Sequence, residues 1–268
     1  MKSNLPSAHL TAVLSIAGSD SSGGAGIQAD IKTITAHKMY AMTAITALTA
    51  QNTTGVYDVC NAPSEFVAKQ IDCIFDDIPP AAVKIGMVSE TPIIEAIAER
   101  LAYHNAPHVV VDPVMVSTSG SLLLASNAIA ALTENLFPLA EVITPNIPEV
   151  EALTQLKITS HEDMLAAGKI LAARFSCAVL VKGGHLIDSA DDLLIKGNDI
   201  HWIHGKKIAT NNTHGTGCTL SSAIACNLAA GMTLPDAIIA AKEYVSGALA
   251  AGLELGHGNG PLNHMFQM

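Results

Sequence analysis

Short apolar runs, many of them β-branched, alternate with helical patterns along nearly the whole chain. No other feature constrains the fold as strongly. The apolar runs lie at 11–17, 43–50, 81–85, 109–111, 141–144 and 178–181. Between them, helical spacing of apolar residues occupies 24–37, 63–76, 91–103, 125–136, 147–153 and 162–174. Two further helices, near 216–230 and 234–252, close the chain. Strands separated by helices need crossover connections, which make neighbouring strands parallel and place helices over both faces of the sheet. Of the 268 residues, 49% are hydrophobic and 14% charged, enough apolar material to bury such a sheet on both sides. The expected fold is therefore α/β, a doubly wound, mostly parallel central sheet with helices on both faces. Between 183 and 212 the pattern breaks into short runs at 192–195 and 201–204, expected to form a hairpin or meander at one sheet edge. No composition break divides the chain. Residues 1–10 are expected to form a flexible N-terminus and 11–268 a single domain, without a separate lid domain.

A parallel sheet delivers the segment after each strand to one edge, where open α/β folds bind ligands. After the first strand come Gly18 and the cluster Gly23-Gly24-Ala25-Gly26; after the second, Gln51-Asn52-Thr53-Thr54. Gly86-Met87, Asp112-Pro113-Val114-Met115, Pro145-Asn146-Ile147-Pro148-Glu149 and Lys182-Gly183-Gly184-His185 come after the next four. To this edge the chain adds Asn212-Thr213-His214-Gly215-Thr216-Gly217-Cys218-Thr219, a glycine-containing loop that runs into a helix rich in alanine and leucine. Unpaired amides and the positive end of the helix dipole make such a start an anion hole, here Gly215, Thr216, Gly217 and Cys218. The same field is expected to lower the thiol pKa of Cys218.

Each of these residues has a plainer reading beside the chemical one. Asp112 and Glu149 suit a magnesium ion held by one or two carboxylates and by phosphates; Asp112 also suits a turn before Pro113. Asn146 and Glu149 form a good helix-capping pair, a role compatible with phosphate nearby. Lys182, between Val181 and Gly183, is placed to neutralise transferring phosphoryl oxygens rather than to sit on the surface. Gly18 and the 23–26 cluster permit a flat ligand to approach the backbone. Asp30 reads equally as a site residue and as a solvated surface acid. Gly24-Ala25-Gly26-Ile27-Gln28-Ala29 matches a dinucleotide fingerprint only formally, because the first strand is expected to end near residue 17. The second strand also lacks the acid that would hold a ribose.

A net charge of −10 argues against a general nucleic-acid or anionic-membrane surface. The apolar run at 10–17 is too short to span a bilayer, so no membrane partner is expected. Five cysteines (60, 73, 177, 218 and 226), odd in number and without C-x-x-C spacing, suggest reduced thiols and a cytoplasmic location.

Together these motifs carry a resemblance. Ala17-Gly18-Ser19-Asp20 with Ser22 to Thr33, Thr46 to Thr53, and Lys84-Ile85-Gly86-Met87 resemble the hydroxymethylpyrimidine/phosphomethylpyrimidine kinases of thiamine biosynthesis, members of the ribokinase-like superfamily. Val111 to Met115, Ile143 to Glu149, Val181 to His185 and Asn212 to Thr219 complete the set, which extends from about residue 11 to Gly260-Pro261. The resemblance implies transfer of a phosphoryl group from ATP, with Mg2+, to 4-amino-5-hydroxymethyl-2-methylpyrimidine and then to its monophosphate. By motif position, Gly18, Asp30, Gln51, Met87 and Val114 would surround the pyrimidine, with the Gln51 amide reading its amino edge. Asp112 and Glu149 would manage magnesium, directly or through water. Asn146, Glu149, Lys182, Asn212 and Thr213 would lie along the nucleotide. Gly215, Thr216, Gly217 and Lys182 would stabilise the transferring group, with Cys218 where the superfamily usually has an aspartate base. The family commonly forms homodimers. Two alternatives remain: a pyridoxal kinase of the same branch, and a non-catalytic pyrimidine-binding module on the same scaffold.

Overall fold

β1 (Ala12–Asp20) carries alternating side chains into two separate cores: Leu14 and Ile16 enter one, Val13 the other. The computed structural model describes residues 10–115, 126–184 and 190–267. Residues 1–9 of the expected flexible N-terminus, residue 125 and His185 lie outside the described residues. β2 (Tyr40–Asn52), β3 (Gly55–Asn61) and β4 (Ala82–Ile85) are followed by β5 (Val109–Val111), β6 (Val142–Ile143) and β7 (Ala178–Val181). β8 (Asp192–Lys196) and β9 (Asp199–Ile203) form the expected antiparallel hairpin. All nine join one sheet in the order β3-β2-β1-β4-β5-β6-β7-β8-β9. The six strands from β2 to β7 in that order are mutually parallel.

Helices cover both faces, as the alternation requires. α1 (Gly26–Ala36), α7 (Thr216–Ala229) and α8 (Leu234–Ala250) pack over the face that holds Val13, Val110 and Leu180. α2 (Ser64–Asp77), α3 (Thr91–Tyr103), α4 (Ser126–Ala131), α5 (Ile147–Thr154) and α6 (His161–Arg174) belong to the opposite face. A π-helical turn, Leu132–Leu136, extends α4. The chain leaves β1 for β2 on one side and later returns to β4 on the other. This topological switch opens a crevice at the carboxyl ends of β1 and β4.

Two sequence expectations are corrected here. β1 does not end near residue 17 but runs to Asp20, pairing Ser19 with Leu48 and Asp20 with Thr49 beyond a bulge. Polar residues continue this strand because the adjoining loop satisfies them. Likewise 51–54 is not a loop throughout: Gln51 and Asn52 finish β2, which turns through Thr53 and Thr54 into β3. β3 carries little signal in the sequence because it is an edge strand, half exposed and without a regular apolar alternation.

Candidate active site

The switch crevice widens into a cavity of about 610 Å³. Gly18, Gln51, Met87, Asp112, Val114, Asn146, Glu149, Lys182, Thr213 and the run Gly215 to Cys218 all line it. The carboxyl ends of six strands, with the loops that follow them, and the start of α7 therefore meet where sheet topology predicts. Val114 holds φ at +39°, a conformation that β-branched residues rarely adopt, so its presentation to the cavity is strained.

Gly215 is the N-cap of α7, with φ +88° and no side-chain cap. The helix-start amides at Gly217 and Cys218 thus have no capping oxygen from that residue. A Cβ on Gly215 would lie 1.9 Å from the carbonyl oxygen of Gly24, and one on Gly24 would lie 2.3 Å from the His214 ring. Both glycines are needed: Gly215 because the backbone of the 21–25 loop lies against it, and Gly24 because the His214 ring does. Gly215→Ala should force the 21–25 and 212–218 loops apart by an ångström or so. We expect a loss of about 10²-fold in kcat, since misplacement on that scale typically costs as much. Steady-state kinetics checks this, with a urea titration to separate it from global unfolding.

Behind the α7 start, Lys182 Nζ lies 2.8 Å from Asp112 Oδ1, which also accepts a hydrogen bond from Thr144 Oγ1 at 3.2 Å. A Cβ on Gly217 would fall 3.1 Å from Asp112 Oδ2 and 3.4 Å from Lys182 Nζ, so helix start, acid and lysine are contiguous. Burial alone would lower the Lys182 pKa, but the charges of Asp112 and Glu149 outweigh it and hold the value above the ordinary one. Glu149 has both oxygens engaged: Oε1 accepts from the Met115 amide at 3.1 Å and Oε2 from the Asn146 amide at 2.8 Å. The Asn146 side chain accepts from the Glu149 amide at 2.9 Å, completing the capping box. Burial raises the Glu149 pKa, with Asp112 adding to the effect and Lys182 opposing it. Capping and site-lining roles coincide in this pair.

Three expectations differ from the structure. Cys218 stands in the first turn of α7, yet its thiol is not acidified. Burial pushes it up to about 11, and the charges of Asp30 and Asp112 add to that against Lys84 and an amide contact from Gly26. Desolvation of a thiolate outweighs the helix field. Asp30 is neither solvated nor on the cavity wall. It is fully buried under the α7 start, with Lys84 Nζ at 2.8 Å and the hydroxyls of Ser15 and Ser222 at 2.5 and 2.7 Å. Asn212 also stays off the cavity wall, its side chain lying against the backbone of Gly260.

Further residues converge here: Asp20 and His214, which their motifs contain without marking a role, and others that no motif contains. Asp20 Oδ2 accepts from His214 Nε2 at 2.8 Å, from the Ala25 amide at 2.8 Å and from the Gly24 amide at 3.0 Å. Burial would raise the Asp20 pKa, but hydrogen bonds from His214, Ser22 and Ala25 outweigh it and lower the value to about 2. The stability this contributes is fully present above 3.8 and is lost as pH falls through about 2. Ile208, Thr210, Lys242, Val245 and Leu249 line the cavity as well, on the side of α8. Nothing in their local pattern marks them, since a wall shared by a loop and a distant helix has no sequence period.

A family model described as phosphomethylpyrimidine kinase matches residues 20–263 of the chain. The hydroxymethylpyrimidine/phosphomethylpyrimidine kinase of Streptomyces coelicolor is 48% identical over 252 residues, covering 94% of this chain and 93% of that one. The crystal structure of phosphomethylpyrimidine kinase from Clostridium difficile 630 matches with a TM-score of 0.79 at 46% identity, covering 88% of this chain and 98% of that one. Pyridoxal kinase from Staphylococcus aureus, in complex with AMP-PCP and pyridoxal, matches with a TM-score of 0.89 at 35% identity over 97% of this chain and 95% of that one.

Proposed function

The chain belongs to the phosphomethylpyrimidine kinase family, and from that premise we propose that it phosphorylates 4-amino-5-hydroxymethyl-2-methylpyrimidine and then its monophosphate with ATP. One observation carries the proposal: the anion hole at Gly215 to Cys218 and the ligand-sized wall of Gly18, Gln51, Met87 and Val114 belong to one cavity. The neighbouring kinase held with AMP-PCP supports ATP as the donor.

The pyrimidine would lie over Gly18, whose missing side chain leaves room beside Met87, with Gln51 reading its amino edge. The nucleotide would approach from the other side, its base against Val245, Leu249 and Ile208, which are the apolar wall, and its phosphates toward Asn146, Thr213 and Lys182. Asn212, behind that wall, would support Thr213 rather than touch phosphate. Asp30 would act through the α7 start and not by contact. In the transfer, the substrate hydroxyl oxygen bonds to the γ-phosphorus as the bond to the β–γ bridging oxygen breaks, and ADP leaves. Amides of the helix start and Lys182 would hold the charge on the transferring group in place. The hydroxyl proton would pass to Cys218 as thiolate or to solvent.

The donor set fits magnesium. Asp112 Oδ2 is the carboxylate oxygen not engaged by Lys182 or Thr144, while both Glu149 oxygens already accept amides. Asp112 would hold the ion and Glu149 would act through water; bound there, magnesium neutralises phosphate charge. We further propose a single domain over 11–268, a homodimer, and a cytoplasmic location. No helix among the described residues is long and apolar enough to cross a membrane.

The pyridoxal kinase match supports a second reading, since pyridoxal is also a flat, methylated azine with a hydroxymethyl group. Parallel assays of hydroxymethylpyrimidine, its monophosphate and pyridoxal with Mg·ATP decide between them. Turnover of pyridoxal alone would overturn the first reading. Gln51→Ala should leave the amino edge of the pyrimidine unpaired, costing about 1–3 kcal/mol in kcat/KM. Its effect on pyridoxal should be smaller; equal losses would make Gln51 a scaffold residue.

A further inference from the structure

Near its end the chain reads Leu255-Gly256-His257-Gly258-Asn259-Gly260-Pro261, and this stretch grips two parts of the cavity's surround. At the first grip the amides of His257 and Gly258 both donate to Thr53 Oγ1, each at 3.2 Å. Two donors occupy both lone pairs of that hydroxyl. Thr53 stands in the turn between β2 and β3, two residues after Gln51. At the second grip Gly260 is held by both of its backbone polar groups. Its amide donates to the Asn211 carbonyl at 3.1 Å, and its carbonyl accepts from the His214 amide at 3.0 Å. His214 leads directly into Gly215 and the anion hole. Both approaches are closer than a side chain allows. A Cβ on Gly258 would lie 2.0 Å from the Thr53 carbonyl oxygen, and one on Gly260 would lie 2.1 Å from Asn212 Oδ1. Beyond the second grip Leu262 and His264 are buried, with His264 Nε2 3.0 Å from Thr219 Oγ1 on α7. That anchorage keeps the segment from sliding. Gly258 and Gly260 are separated by at most about 7 Å of extended chain, so the link between the grips has little slack.

We infer that this C-terminal segment is a clasp, with Thr53, Gly258 and Gly260 as positioning residues that hold the β2–β3 turn in register with the anion hole. In the proposed function the end of β2 faces the azine and the 212–218 loop faces phosphate. Their spacing sets the distance from the substrate hydroxyl to the γ-phosphorus, so the clasp acts on transfer more than on binding. The inference rests on that reading for its kinetic consequence; the grips themselves do not depend on which azine is bound. His257 and Gly258 are exposed, so water replaces a lost acceptor there at small cost in stability. Misplacement, rather than unfolding, is the expected fault when the clasp is broken.

Amide hydrogen exchange of the full chain without substrate tests the clasp directly. Gly258→Ala and Thr53→Val should each lose protection at the His214 and Gly260 amides as well as at 257 and 258, whereas Thr53→Ser should keep it. Loss confined to 257 and 258 would overturn the coupling. In kinetics with ATP, and with whichever of hydroxymethylpyrimidine and pyridoxal the wild type turns over, both variants should lower kcat about tenfold. That is less than the cost of a full ångström of misplacement. KM for each substrate should change far less than kcat, and Thr53→Ser should restore kcat. Thr53 lines the cavity and Gly258 does not, so Gly258→Ala separates the clasp from direct contact with substrate. Thr53→Val in turn adds no bulk beside the backbone. A normal kcat in Gly258→Ala, or a fall matched by loss of folded protein in a urea titration, would overturn the inference. Absence of pyrimidine turnover in the wild-type protein would instead overturn the proposed function and leave the exchange measurement to judge the clasp.

Discussion

Lys84→Ala is expected to destabilise the protein by about 3–5 kcal/mol, the usual result of leaving one partner of a buried ion pair alone. Lys84 and Asp30 are both fully inaccessible to solvent. Lys84 rises from β4 between two helices, with Asp30 on α1 and Ser222 on α7 closing the cluster. Removing the ammonium leaves a carboxylate with only the hydroxyls of Ser15 and Ser222. Burial alone would lower the Lys84 pKa, but the charges of Asp30, Cys218 and Asp112 outweigh it and raise the value. The ammonium's contribution is therefore fully present below 10.5 and is lost only as pH rises through the higher folded value. Urea titrations of Lys84→Ala and of Lys84→Met with Asp30→Asn test this, since the double variant removes both charges and leaves an amide whose oxygen accepts from one hydroxyl and whose NH2 donates to the other. A loss under about 1 kcal/mol for the single variant would mean that water reaches the pair.

Cys218→Ala is expected to lower kcat by about 10²–10⁴-fold with little change in ATP affinity, the range for loss of a general base. A thiol at about 11 has only about one part in ten thousand as thiolate at pH 7. The wild-type kcat should therefore rise with pH across 6 to 9, while Cys218→Ala should be flat. Alkylation of the free enzyme should be slow at pH 7, accelerate toward pH 10, and be blocked by substrate. If Cys218→Ala retains near-normal kcat over this range, the thiol is a packing residue and the anion hole with Lys182 carries the step.

The order of strands and helices was legible because a buried parallel sheet demands apolar runs of its own length, and the helices that cover it demand another period. The boundaries were less so. Ser19 and Asp20 look like a loop, yet they extend β1 because Thr49, Gln28 and the 22–25 amides satisfy them. The positions at the carboxyl edge followed from topology, and the capping pair Asn146 and Glu149 from spacing alone. Family membership was legible in the motifs themselves.

What only the tertiary structure decided is which groups face one another across the fold. Asp20 and His214 are 194 residues apart in the chain and 2.8 Å apart in space. Asp30 could be placed in a helix from sequence, but Lys84, quoted only within the Lys84-Ile85-Gly86-Met87 motif, carried no local sign that it would be its partner. For Cys218 the sequence carries the helix-start field, which is local, while the structure adds the desolvation, which depends on everything packed around it. A local field can be read from neighbours in the chain. Burial, and the donors and acceptors it forces together, is a sum over the whole fold.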